Sequence, residues 1–335
     1  MLISGVLFLA ANMVLIAALG IFRLDMLLLF LVFITPLSVP LREISSGFSF
    51  DVFLPTEPIL VATLVLVVLK LLRSDTFDRR LLYHPVSLAI YAHLAWMLIT
   101  AITSTMPVVS FKFLLSRIWF VVVFYFLLGE IFLQNPKQLH RFFWLFILGL
   151  FFVIVYSWKQ QYTYGLFDHK VAHWASGPFF NDHTAYGASL AFYVPFALLM
   201  LFHPGYSRFQ KLGVLVALAI LLAATVLSYT RAAWLSLAAA VVVGLLMRFR
   251  IRLRYPLIIA VIAISLIAGN WTQIMLSLEK NQQESSSDLA SHIQSMTNIA
   301  SDASNLERLN RWKSAFRMFG EKPILCWATG TYMFQ

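Results

Sequence analysis

Charge and cysteine are what this chain has least of. Only 12% of its 335 residues are charged, against about 25% in soluble domains. A single cysteine, Cys326, excludes an intramolecular disulfide framework and a multi-cysteine metal site. The sequence also lacks a Walker-type loop, a G-x-S-x-G elbow, an H-E-x-x-H helix and a dinucleotide-binding fingerprint. In their place stand apolar residues, 60% of the chain, with a mean hydropathy of +0.81. One globule cannot hide that much apolar surface. A soluble enzyme and a disordered chain are both excluded.

The apolar residues come in runs of the length that crosses a hydrocarbon layer, about 20 residues. Ten runs qualify: Leu2–Ile21, Met26–Leu41, Pro58–Leu72, Pro85–Thr103, Phe113–Phe132, Phe142–Trp158, Ala185–His203, Leu212–Leu227, Ala232–Leu246 and Tyr255–Trp271. They predict an all-α polytopic bundle of about ten spans over residues 1–275, followed by a polar segment, 276–335. Pro36 and Pro40 predict a kinked or partly inserted second run. Ser228–Arg231 reads as a tight turn between the eighth and ninth. The N-terminus has no basic region and no clear cleavage site, so the first run is read as a retained span.

The net charge of +10 is explained by where the basic residues sit. Alternate loops carry thirteen of them, among them Arg79, Arg80, Lys137, Arg208 and the series Arg248, Arg250, Arg252, Arg254. The opposite short loops carry six: Arg42, Lys112, Arg117, Lys159, Lys170 and Arg231. Basic residues in short loops stay in the cytoplasm. The N-terminus and residues 276–335 are therefore expected on the outer side. The surplus is a topology signal and does not point to nucleic acid.

Two outer segments hold most of the reactive side chains. Lys159–Thr184 contains His169, His173, Trp174, Asn181, Asp182 and His183. Gly165 and Gly177-Pro178 point to a loop around His169 and His173, which counts against metal binding, and no metal is expected. His183 with Asp182 has the composition of a general base and its orienter. In the second segment, Gln282–Ser304 is polar. Leu309, Trp312, Phe316 and Phe319 then fall on one face of a helix over 305–319, bordered by Arg308, Arg311, Lys313 and Arg317. A basic amphipathic helix of this kind lies in a headgroup layer. Asp302 or Ser304 would cap it, and Gly320 and Pro323 would stop it. Arg231 and Arg308 are the arginines best suited to a phosphate, which guanidinium grips bidentately. Lys112 and Arg117, at the outer end of the fifth run, are possible supporting cations. Glu130, near an inner end, reads as a packing partner.

Three stretches together resemble the O-antigen ligase and polymerase family of bacterial membrane glycosyltransferases. Ser176-Gly177-Pro178-Phe179-Phe180-Asn181-Asp182-His183 is similar to the family's Ser-Gly-x-Phe-x-Asn-x-Asn stretch, with Asp182 and His183 in place of Pro and Asn. Ser228-Tyr229-Thr230-Arg231-Ala232 is similar to its Ser-x-Ser-Arg-Gly turn. Arg308 to Ala315, then Pro323 to Gly330, resemble its Arg-x-x-x-Trp-x-x-Ala helix and Pro-x-x-Gly-x-Gly turn, with Cys326 and Ala328 in place of glycines. The resemblance spans roughly residues 90–335.

It implies transfer of a glycan from an undecaprenyl-diphosphate carrier at the periplasmic face of the inner membrane. The acceptor would be the lipid A core in a ligase, or another lipid-linked glycan in a polymerase. No metal or nucleotide is needed. Arg231 and Arg308 match the arginines that hold the carrier diphosphate. The family continues beyond this point with a histidine-bearing segment and two further spans, so the resemblance implies a C-terminally truncated member. No position here matches that histidine, which leaves His183 as the candidate base. Two other classes compete with this reading. A transporter or flippase for lipid-linked or anionic solutes expects broken helices in paired halves and polar sites at mid-membrane, and neither pattern is present. A non-catalytic partner in envelope assembly is the third.

Overall fold

Helix starts in this chain are written in capping residues. The Asp168 carboxylate accepts the Lys170 N–H at 2.8 Å, and Asp182 accepts that of Ala185 at 2.8 Å. Ser207 and Gln210 form a reciprocal capping box. In the computed structural model the described residues are 23–44, 52–72, 77–252, 254–270 and 303–321. The run Leu2–Ile21, most of Gln282–Ser304 and the Pro323–Gly330 stretch with Cys326 lie outside them.

The chain divides into two compact units. The first comprises Met1–Trp234 and Trp327–Gln335, the second Leu235–Cys326. In the first unit, α1 (Leu24–Ile34) passes through a 3-10 turn into a two-residue strand β1 (Val39–Pro40), which pairs antiparallel with β2 (Phe53–Leu54). Between the strands lies α2 (Leu41–Ile44). The helix at the expected second span Met26–Leu41 thus runs for 11 residues only, Leu24–Ile34. Pro36 and Pro40 cannot continue the amide ladder, and the chain turns into a strand pair instead.

Then come α3 (Thr56–Leu72), α4 (Arg79–Leu82), α5 (Pro85–Ile102) and a long helix α6 (Pro107–Gln134), which carries a π-helical stretch at Val122–Leu127. The long α7 (Lys137–Tyr164) is followed by a short α8 (His169–Trp174), then α9 (His183–Leu201), α10 (Arg208–Leu227) and α11 (Arg231–Arg248). In the second unit lie most of α11, α12 (Arg254–Gly269) and α13 (Ala303–Glu321).

Among the described residues six helices, α5, α6, α7, α9, α10 and α11, are long and apolar enough to cross a membrane. They coincide with six of the ten expected runs. The chain is a multi-pass membrane protein, almost wholly helical. The helices at the third and tenth runs have 17 and 16 residues.

One core of the first unit is formed by Leu27, Leu28 and Leu31 of α1, Ile59, Leu60 and Val67 of α3, and Val123 and Leu127 of α6. Gly149 of α7 lets α1 close in, since a Cβ there would overlap the Phe33 carbonyl oxygen. A second packing region joins α7, α9 and α10. There Phe143 stacks on Phe196 at 3.6 Å and Phe146 on Tyr193 at 4.4 Å.

Side-chain hydrogen bonds join segments far apart in sequence: Glu130 accepts the Asp78 N–H at 2.8 Å, Trp144 donates to the Tyr206 hydroxyl at 3.2 Å, and Gln161 donates to the Leu227 carbonyl at 2.9 Å. Glu130 also accepts from Gln134 at 2.6 Å, and so it is a packing partner, as its position predicted.

Candidate functional site

The turn between α10 and α11 is built by hydrogen bonds rather than by glycine. Ser228 and Thr230 are 1% and 2% exposed. The Ser228 hydroxyl donates to the Thr225 carbonyl at 2.7 Å, and that of Thr230 to the His183 carbonyl at 2.8 Å. Tyr229 adopts a left-handed φ of 50°, uncommon for a bulky residue. Its hydroxyl donates to the Phe167 carbonyl at 2.9 Å. The turn is therefore tied to both the 165–168 loop and the start of α9. Gly187 of α9 makes room for it, since a Cβ there would lie 2.5 Å from the Thr230 Cβ. Arg231 opens α11 and is half-buried. These bonds fix the backbone from which the Arg231 side chain leaves.

At the other end of His183 the ring lies 3.9 Å from the ring of His173. His169 and His173 sit on α8, not in the loop that Gly165 and Gly177-Pro178 suggested. Asp168 caps that short helix, and Gly165, with a φ of 138°, ends α7 before it. The four-residue spacing does put the two imidazoles on one side, with rings 6.1 Å apart. Among the described residues no group of three His, Cys, Asp or Glu could hold a metal ion.

The His173 Nδ1 lies 2.6 Å from the His169 carbonyl oxygen. A carbonyl only accepts, so Nδ1 carries the proton and Nε2 is left as the acceptor of the neutral ring. Burial works against the Asp182 carboxylate. The Ala185 and Thr184 N–H groups, the Thr184 hydroxyl and neighbouring His183 outweigh it and hold the carboxyl below its usual range. Asp182 is thus the cap of α9.

Beside His173 opens a hollow of about 580 Å3, lined on one side by Val39, Pro40, Arg42 and Glu43. The opposite wall is His173, Trp174, Gly177, Pro178, Phe180 and Asn181. Of the sequence-chosen residues, Asn181 lines it, Asp182 adjoins Asn181, and His183 links it to the Arg231 turn. Lys112 and Arg117 lie on α6 and do not line it. Arg117 is further into its helix than expected, because α6 starts at Pro107. Its guanidinium sits 5.6 Å from the Phe113 ring centre.

Arg308 falls within α13, but its side chain lies outside the described part. Sequence reading missed Arg42 and Glu43 as site residues. No spacing connects them to residue 173; the β1–β2 pair and the packing of α1 and its 3-10 turn on α7 bring them there.

Among the described residues the chain has six helices of membrane-spanning length. Residues 215–335 match the O-antigen ligase family (Wzy_C). That segment contains both Arg231 and Arg308, and the match supports the family that the three motifs pointed to. The chain is accordingly a multi-pass membrane protein whose residues 215–335 are similar to the O-antigen ligase family. No curated protein and no solved structure matches it.

Proposed function

We propose that this protein transfers a glycan from undecaprenyl diphosphate to an acceptor sugar, in a ligase the lipid A core, on the periplasmic side of the bacterial inner membrane. The observation that carries the reading is Arg231, at the start of a helix in the family-matched segment, beside a turn pinned by three side-chain hydroxyls. The basic-residue asymmetry supports its placement on the outer side.

In the reaction an acceptor hydroxyl oxygen attacks the anomeric carbon. The bond from that carbon to the diphosphate oxygen breaks, and undecaprenyl diphosphate leaves with the bond's electrons. Negative charge grows on the leaving group, where fixed guanidiniums lower the barrier most. Arg231 is one such group; by resemblance Arg308 is the second. The membrane holds the lipid donor at the right depth, which supplies orientation. His183 is the candidate for taking the acceptor's proton. A polymerase, using a lipid-linked glycan as acceptor, is the second reading and shares every step.

Gel profiles of surface polysaccharide from a deletion strain test this. Loss of all long chains on lipid A indicates a ligase, and a single-repeat band a polymerase. An unchanged profile overturns both.

A further inference from the structure

We propose that the hollow beside His173 is a subsite for a neutral sugar ring of the glycan substrate. The inference rests on the glycan-transfer reading above and deepens it. The volume, about 580 Å3, falls within the roughly 300–1,000 Å3 of small-molecule sites.

Its charge is balanced, because Arg42 and Glu43 stand side by side in the lining. A diphosphate subsite needs an excess of positive charge, whereas a polyol needs donors and acceptors together. The guanidinium supplies donors and the carboxylate acceptors. Asn181 supplies both, and His173 presents an acceptor Nε2, because its Nδ1 is committed to the His169 carbonyl at 2.6 Å.

The apolar part is equally specific. Trp174 is 47% exposed and is braced edge-on by Tyr164 at 5.2 Å, which leaves ring surface for the C–H face of a sugar. Position completes the argument. His183 touches the hollow through His173 and bonds the Arg231 turn through Thr230. A diphosphate at Arg231 and a sugar in the hollow would be neighbours, as they are in a carrier-linked glycan. The sugar of an acceptor has the same chemistry, so the test separates the two sources.

Full-length protein in lipid nanodiscs is titrated with three probes: the lipid-linked repeat extracted from the strain that makes the protein, sugar-free undecaprenyl diphosphate, and lipid A core. Trp174→Ala and Asn181→Ala are each expected to weaken one sugar-bearing probe roughly tenfold, the loss typical of a central contact. Which probe weakens names the source. Trp174→Phe, which keeps an aromatic face, restores binding, and sugar-free carrier binds all variants equally. If both alanine variants bind both sugar-bearing probes as the wild type does, the subsite is overturned. Failure of the wild type to bind the sugar-free carrier instead overturns the diphosphate reading, a result visible independently of the variants.

Discussion

The proposed role of Arg231 rests on its neighbours. An arginine at a membrane surface is ordinary, since its aliphatic stem packs on apolar surface while the charge reaches water. Arg231 differs because the three residues before it are held by hydroxyl bonds to the Thr225, His183 and Phe167 carbonyls. Gly187→Ala tests that support. The added methyl would stand 2.5 Å from the Thr230 Cβ, so the turn must shift. Transfer activity should fall by about two orders of magnitude, in keeping with small misplacements of catalytic groups. Thermal stability should drop by about 1–3 kcal/mol, as overpacking does. Wild-type activity in this variant would show that the turn's position does not matter. Asp182 carries the pH dependence. Its folded carboxyl is held below the ordinary value, so its stabilisation is fully present above the ordinary carboxylate range of about 4 and is lost as the pH falls from there through the lower folded value. Asp182→Ala should cost about 1 kcal/mol at pH 7. The gap in melting temperature between it and the wild type should close below pH 4; a gap constant with pH would contradict the capping role.

Among the elements, α7 organises the first unit. Its Gly149 admits α1, its aromatic rings pack on α9, and Gln161 near its end ties to the last carbonyl of α10. The amphipathic helix, α13, sits in the second unit. It runs from Ala303 to Glu321, so Ser304 is inside it rather than at its cap, and it continues through Gly320. Trp312, Phe316 and Phe319 are 65%, 67% and 58% exposed. Three large apolar side chains in water on a basic helix are costly, and a headgroup layer removes that cost. A polarity-sensitive fluorophore on Trp312→Cys, in a Cys326→Ser background, should emit at shorter wavelength in liposomes than the same label on Lys313→Cys. Equal emission from the two positions would contradict an interfacial helix.

At the scale of the whole molecule, the sequence was most legible where hydropathy repeats over long runs. Six runs became six helices of spanning length because a lipid solvent demands continuous apolar helix. The Ser228–Arg231 turn was also readable, since four residues between two spans leave the chain no alternative. Less was readable at the ends of elements. The α8 helix overrode the glycines around it because Asp168 caps it, and the second run stopped early at its prolines. The hollow was not readable at all. It joins residues near 40 to residues near 175, and only tertiary packing relates those. Arg308 entered through resemblance to a motif, and its part rests on chemistry rather than geometry. Arg231 and, by resemblance, Arg308 are each proposed to bind the carrier diphosphate. The most direct test is the affinity of nanodisc-embedded protein for sugar-free undecaprenyl diphosphate. Arg231→Lys and Arg308→Lys should each weaken it by roughly ten- to a hundredfold, because lysine keeps the charge but loses the paired hydrogen bonds. Unchanged affinity in both variants would contradict the account.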